Sequence, residues 1–188
     1  TYDGYELVIH DVENLAIYAD VPEATISAQP RYANVLNFEN CSHLILDGFV
    51  AGHTVEPGEC AGGVLSFISC DEVLINNARL YGCGTMGISA TNCRQLSAIG
   101  TEIYECSYGA VVFTSCQDVS LLRCDIHDCG KKGTFSAFQL ISADNSEGFA
   151  LVNCQVHDNN ANELFANSYT EEAYLLGTKV YNNQVNNS

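Results

Sequence analysis

The stretch ISATNCRQLSA (residues 88–98) is followed 23 positions later by VVFTSCQDVSL (residues 111–121), with apolar residues at the same places. Cys93 and Cys116 occupy the same position in the two stretches. On either side of these cysteines apolar and polar residues alternate, and a period of two is typical of a β-strand. The pair therefore predicts two copies of one strand–turn–strand unit.

The same register extends along most of the chain. Aligning on the two cysteines gives seven reference positions with spacings of 29, 29, 23, 23, 30 and 24 residues. They are Val12, Cys41, Cys70, Cys93, Cys116, Ser146 and Thr170. Apolar residues recur five and three positions before the reference, and three, five and ten positions after it. Each unit thus contains three short strands separated by Gly, Asn, Asp and Ser, which predicts coils that stack in parallel.

These units predict an all-β fold, a right-handed parallel β-helix of about seven coils with three short strands per coil, in a single domain over residues 1–188. Parallel crossovers are almost always right-handed. A leucine-rich repeat has a similar length but needs a helical return segment, whereas both flanks of the reference have the strand pattern. The predicted interior contains Leu44, Leu46, Phe67, Ile75, Leu80, Ile88, Ile103, Phe113, Leu121, Ile126, Leu151 and Val156.

A polar residue precedes the reference in most units. It is Asn40, Ser69, Asn92, Ser115 or Asn145. Asparagine tolerates the left-handed backbone conformation, and its amide can bond to a backbone group or to the next coil. We therefore expect a tight turn with a stacked polar corner between the first two strands of each coil.

The charge balance excludes several classes of protein. Seven Lys and Arg residues stand against 23 Asp and Glu, for a net charge of −16. So few basic residues cannot follow a phosphate backbone or attach to an anionic membrane surface. No apolar run reaches the roughly 18 residues of a membrane-spanning helix. We therefore expect no nucleic-acid partner and no membrane span.

The ten cysteines recur by coil, mostly at corners and inward positions. Cysteine in such places behaves as a small hydrophobic residue. Reduced thiol ladders are the preferred interpretation, and one or two disulfides are the alternative. Zinc is disfavoured because the sequence has no C-x₂-C pair. Cys60, in a long loop, is the best candidate for a bridge or a reactive thiol.

The coil pattern resembles the pectin-lyase-like superfamily of right-handed parallel β-helix repeat proteins over nearly the whole chain. Four stretches are similar to a bacterial group whose members mostly have no assigned function: YDGYEL (2–7), RYANVL (31–36), PGECAGGVL (57–65) and LYGCG (80–84). Members of that group usually carry more chain before the point where this one begins. We therefore expect an excerpt of a longer extracellular or cell-surface protein, with its coil ends covered by other domains or another subunit.

The enzymes of this superfamily have motifs that the chain lacks. Polygalacturonase-like hydrolases carry N-T-D, D-D, G-H-G and R-x-K on successive coils, and only Gly52-His53-Thr54 partly matches the third. Pectate-lyase-like enzymes need an arginine or lysine base beside calcium-binding aspartates, and no such cluster is present. We therefore predict a non-catalytic carbohydrate-facing or structural module. The alternative is a polysaccharide lyase or glycoside hydrolase with a divergent active site.

Two long corners are predicted on one edge of the rod, where this fold usually keeps its groove. They are residues 53–63 (HTVEPGECAGG) and 128–138 (DCGKKGTFSAF). Opposed carboxylates across such a cleft could act as acid and base, or several could hold Ca²⁺; otherwise no cofactor is expected. The plainer interpretation is a set of solvated loops. The weak catalytic candidates are Glu56, Glu59, Glu105 and Asp128, and the ligand-binding candidates here are His53, Lys131 and Lys132.

A row of aromatic residues lies eleven positions after the reference. It contains Tyr81, Tyr104, His127, His157 and Tyr181. By strand parity these side chains point outward. They are either structural stacks or a platform whose ring faces bind the sugar rings of a polysaccharide. His127 and His157 are each followed by an aspartate, but neighbours on a strand point to opposite sides, so a catalytic dyad or a metal-binding pair is disfavoured.

Overall fold

The computed structural model describes residues 6–54, 61–82, 85–130 and 137–186, with the side chains of residues 137 and 138 left out. All regular elements in these ranges are β-strands. No helix that could span a membrane occurs among them.

The strands follow one another in coils of three. The first four coils contain β1 (Val8–His10), β2 (Glu13–Tyr18), β3 (Thr25–Ala28), β4 (Leu36–Glu39), β5 (Ser42–Asp47), β6 (Val50–His53), β7 (Leu65–Ile68), β8 (Asp71–Asn76), β9 (Arg79–Tyr81), β10 (Met86–Thr91), β11 (Arg94–Ile99) and β12 (Glu102–Tyr104). The next three contain β13 (Gly109–Thr114), β14 (Gln117–Leu122), β15 (Asp125–His127), β16 (Ala137–Asp144), β17 (Ala150–Val152), β18 (Gln155–His157), β19 (Asn160–Ala166), β20 (Tyr174–Leu176) and β21 (Lys179–Tyr181). A further strand, β22 (Gln184–Val185), begins another coil.

Equivalent strands of successive coils form three parallel sheets. Sheet A contains the eight first strands, sheet B the seven second strands and sheet C the seven third strands. The pairing register places Val111 beside Ile88 and Val119 beside Leu96. This is the alignment that the repeat predicts, so the prediction of a right-handed parallel β-helix with three strands per coil is confirmed.

The core runs continuously along the inside of the rod. All twelve predicted interior residues have 0% exposure. Inward side chains stack on the equivalent residues of the next coil. The rings of Phe38 and Phe67, for example, lie 5.2 Å apart with an interplanar angle of 8°.

The corner between sheets A and B has the predicted left-handed geometry. The five polar residues before the reference, from Asn40 to Asn145, have φ between 48° and 54°. Tyr169 occupies the same position in the seventh coil, with φ of 54°. A second series of positive φ angles was not expected. It falls two positions after the reference, inside the strands of sheet B, and includes His43, Glu72 and Gln95.

The cysteines act as corner residues. The eight cysteines that the structure describes are buried and free. Cys93 Sγ donates a hydrogen bond to the carbonyl oxygen two residues before it, at 3.4 Å, and Cys116 does the same. In the sixth coil Ser146 replaces cysteine and makes the equivalent bond, at 3.0 Å. Because a hydroxyl can replace the thiol, these cysteines serve as small buried donors. Cys60 lies outside the described residues.

Candidate functional site

The predicted loop cleft falls mostly outside the described residues. Four of its candidate residues lie outside the described ranges: Glu56, Glu59, Lys131 and Lys132. His53 is described, and it is only 3% exposed. Its Nε2 atom lies 2.8 Å from the carbonyl oxygen of Ala33. His53 is thus buried against backbone, and its role as a ligand-binding residue stays a prediction.

The aromatic row forms one stacked ladder on the outer face of sheet C. Neighbouring ring centroids lie 4.8–5.7 Å apart, and interplanar angles are 5–18°. The order is Tyr81, Tyr104, His127, His157 and Tyr181. The strand register that places the ladder residues beside one another is the one predicted from the repeat.

The stacking leaves ring edges, not faces, toward solvent. Tyr104, His127 and His157 each have a ring on both sides. Below Tyr81 the backbone of Gly52 takes the place of a ring, and a Cβ atom there would lie 2.5 Å from Cε1 of Tyr81. Sugar rings therefore cannot stack on the faces of the three inner rings, Tyr104, His127 and His157. Contact with a ligand has to use edges, hydroxyl groups and the charged side chains beside them.

His127 lies between two carboxylates. Its Nε2 atom is 3.0 Å from Oε1 of Glu102, and its Nδ1 atom is 2.8 Å from Oδ2 of Asp128. A carboxylate can only accept, so both contacts are hydrogen bonds when both ring nitrogens carry a proton. Burial opposes that charge, but the hydrogen bonds with Asp128 and Glu102 outweigh it and raise the pKa of His127 above its ordinary value.

His157 repeats this arrangement one coil later. Its Nε2 atom lies 3.0 Å from Oδ1 of Asp125, and its Nδ1 atom lies 2.7 Å from Oδ2 of Asp158. The expectation that neighbouring histidine and aspartate side chains diverge is therefore wrong. Asp128 and Asp158 each have φ of 54°, and this left-handed residue ends the strand and brings the carboxylate back beside the imidazole.

Glu102 connects the ladder to Arg79. Arg79 Nε donates to Oε2 of Glu102 at 2.5 Å, and its guanidinium carbon lies 5.6 Å from the ring centroid of Tyr104. Burial alone would raise the pKa of Glu102, but the bonds from His127 and Arg79 lower it. Glu102 is therefore an ionised acceptor. Glu105, a catalytic candidate, has φ of 57° and lies at the corner position equivalent to Asp128, one coil earlier.

We call this surface the sheet C strip: the five ladder residues, the row Arg79, Glu102, Asp125, Gln155 and Lys179, and the corner residues Glu105, Asp128 and Asp158. Gln155 accepts a hydrogen bond from the Tyr181 hydroxyl at 3.2 Å. Within the ranges that the structure describes, no group of three or more His, Cys, Asp and Glu side chains is arranged to hold a metal ion.

Two concave surfaces were not predicted. One is a polar groove of about 520 Å³ outside the corner between sheets A and B, with Tyr169 at one end. The other is a more apolar channel of about 720 Å³ on the outer face of sheet B. For the first, the sequence contained a signal: Tyr169 stands where the other coils have mostly asparagine or serine.

The family model for a right handed beta helix region matches residues 50–188. The chain belongs to this right-handed β-helix family. The match covers six of the seven complete coils in whole or part, and it agrees with the sheet topology described above.

Solved structures of other β-helix proteins are similar to this family member. A candidate glycosyl hydrolase from Parabacteroides merdae has 10% identity and a TM-score of 0.57, over 88% of this chain and 82% of the other. The A-module of the mannuronan C-5 epimerase AlgE6 from Azotobacter vinelandii has 13% identity and a TM-score of 0.38, over 90% and 58%. At 10% identity the likeness to the first of these structures concerns the fold alone. No curated protein matches the sequence.

Proposed function

We propose that this β-helix is a non-catalytic, carbohydrate-facing module of a bacterial extracellular or cell-surface protein, and that its sheet C strip contacts a neutral polysaccharide. The observation that supports the proposal is the fixed row of hydrogen-bonding groups on the strip. The groups repeat once per coil, about every 4.8 Å. Such a row suits an extended, repeating ligand better than a compact one.

The strip is organised before any ligand arrives. His127, His157 and Arg79 hold the carboxylates of Glu102, Asp125, Asp128 and Asp158 in place. A carboxylate oxygen can accept more than one hydrogen bond, so a held carboxylate can still accept from a sugar hydroxyl. Because these side chains are already ordered, binding loses less conformational entropy.

Charge selects the class of polysaccharide. The chain carries a net charge of −16, and the strip itself contains several carboxylates. An acidic polysaccharide would be repelled over the whole surface. A neutral chain avoids that repulsion and offers hydroxyl donors to the carboxylates.

The protonation of the strip favours binding over catalysis. Glycoside hydrolysis needs one carboxylic acid that is still protonated near neutral pH, which requires a raised pKa. The pKa of Glu102 is lowered instead. Asp128 accepts a hydrogen bond from His127 when Nδ1 of the imidazole carries a proton. The two carboxylates closest to the ladder centre are thus hydrogen-bond acceptors.

The test is a glycan array screened with and without Ca²⁺, followed by product analysis of every hit. We expect neutral polysaccharides to bind undegraded. Gln155→Ala and Lys179→Ala, on the strip, should each weaken binding about 3- to 10-fold, since one or two hydrogen bonds are lost. Gln139→Ala, on sheet A, is the control and should bind normally. Binding of acidic glycans only, or equal binding by all three variants, would refute the proposal. Degradation products would establish the enzymatic alternative, and a requirement for Ca²⁺ would give the ion a role.

A further inference from the structure

The polar groove outside the corner between sheets A and B, which we call the corner groove, runs along four coils on a different face from the sheet C strip. Asn145 Nδ2 donates to Ser115 Oγ at 3.0 Å, so part of its wall is fixed. Gln117, Glu147 and Glu171 follow one another in register on the other wall. All three are exposed. The groove is therefore an ordered, open surface with polar side chains on both walls.

Tyr169 lies at one end of the groove, and 91% of the residue is exposed. Its φ of 54° is left-handed, a conformation that a bulky residue adopts at a cost. The equivalent corners carry Asn92, Ser115 and Asn145, and asparagine accepts this backbone readily. Unlike the inner rings of the ladder, the Tyr169 ring is open to solvent.

Glu147 and Glu171 line the same end of the groove on adjacent coils, directly opposite each other in a parallel bridge. Like charges in that position repel. Within the described ranges neither side chain has a hydrogen bond or an ion pair. The nearest cation along the groove, Arg94, is already paired with Asp71, Nη2 to Oδ2, at 2.5 Å. The end of the groove near Tyr169 therefore carries two negative charges and no positive one.

We propose that the corner groove binds a sugar that bears a primary amine. The ammonium group lies between the carboxylates of Glu147 and Glu171, and the sugar ring lies on Tyr169. Gln117 and Asn145 contact its hydroxyl groups. A cation between these carboxylates relieves their repulsion and forms charge-assisted hydrogen bonds, and the aromatic face adds a cation–π contribution. This site is independent of the proposed sheet C function because it lies on another face and takes a ligand of another charge.

The test titrates the whole 188-residue chain with a glucosamine tetramer and with its N-acetylated counterpart, near pH 6. The two ligands share a ring and differ in charge. We expect the free amine form to bind at least ~10-fold more tightly. Glu147→Gln and Glu171→Gln should each lower its affinity about 5-fold or more. Glu172→Gln makes the same change in net charge outside the groove and should leave the affinity unchanged.

Tyr169→Asn separates binding from folding. Asparagine occupies the equivalent left-handed corner in other coils, as Asn92 and Asn145 do. The thermal midpoint of the variant should therefore stay the same or rise, while binding is lost. Three results would overturn the proposal: equal binding of the acetylated tetramer, normal binding by Tyr169→Asn, or equal losses in Glu172→Gln and the groove variants. The last would mean attraction to the overall negative charge. Sheet C variants should bind this ligand normally, so failure of either proposal can be recognised without the other.

Discussion

Single residues at the corners determine which side chains meet. His127 has two carboxylate partners because Asp128 is left-handed and because Glu102 lies one coil below. An extended backbone at Asp128 would send its carboxylate to the other side of the strand. The raised pKa of His127 therefore depends on one backbone angle and one stacking register.

The pKa of His127 has a consequence for stability. A folded-state pKa above the ordinary 6.5 means that protonation favours the folded chain. This stabilisation is complete at pH values below the pKa of His127 in the unfolded chain, and it is lost as the pH rises through the pKa of His127 in the folded chain. The lowered pKa of Glu102 stabilises the folded chain at every pH above its ordinary value of 4.5. That contribution is therefore constant over the pH range in which His127 titrates. In urea unfolding between about pH 5.5 and about pH 8.5, we expect wild type to lose stability as pH rises and His127→Gln to lose less. Equal pH slopes in the two proteins would contradict this prediction.

Leu121 tests the packing of one residue in the core. It is 0% exposed and pairs with Ala98 and Leu151 in the neighbouring coils. Strands above and below hold the backbone, so the cavity left by a smaller side chain cannot close. Leu121→Ala should therefore lower the free energy of unfolding by about 2–5 kcal/mol. Denaturant unfolding measures this, and a loss below about 1 kcal/mol would show that the interior is not packed as described.

At the scale of strands, the ladder requires a small residue beneath its first ring. Gly52 in β6 pairs with Tyr81 in β9, and an added Cβ atom would lie 2.6 Å from the Tyr81 carbonyl oxygen as well as against its ring. Gly52→Ala should therefore cost about 1–3 kcal/mol through overpacking. Ser27→Ala, in the same row one coil earlier, is the control and should be nearly neutral. Equal thermal midpoints for the two variants would contradict the close approach.

The repeat made the strands, their register and the interior predictable, because each apolar residue stacks on its equivalent in the next coil. The ladder followed from the same register. What the sequence did not reveal depends on backbone angles inside a coil. Left-handed residues in sheet B, such as Glu72, occur where strand parity predicts extended backbone. The same limitation hid the contact between His157 and Asp158 and the shape of the corner groove.

At the scale of the whole molecule, the rod distributes different chemistry around its circumference. Sheet C carries the charged ladder, the A–B corner carries a polar groove, and the outer face of sheet B carries an apolar channel that includes Ile45, Leu74 and Ile99. All three surfaces rest on the same stacked interior. Substitutions on one face therefore act independently of the others as long as the inward residues are unchanged, and this independence is what allows the two binding proposals to be tested separately.

The last described coils expose apolar residues that are interior elsewhere. Leu175 and Val180 are 55% and 44% exposed, whereas their partners Leu151 and Val156 are fully buried. β20 and β21 are the outermost strands of sheets B and C, with unpaired edges in the structure. Exposed edges of this kind invite pairing with another chain.

We therefore expect the 188-residue chain to associate as its concentration rises, more strongly at high salt because its net charge of −16 is then screened. Leu175→Lys should suppress the association, while Tyr174→Lys puts the same charge on the outer side of the strand and should suppress it less. Sedimentation velocity over a concentration series measures this, and a wild-type chain that stays monomeric at high salt would refute the prediction.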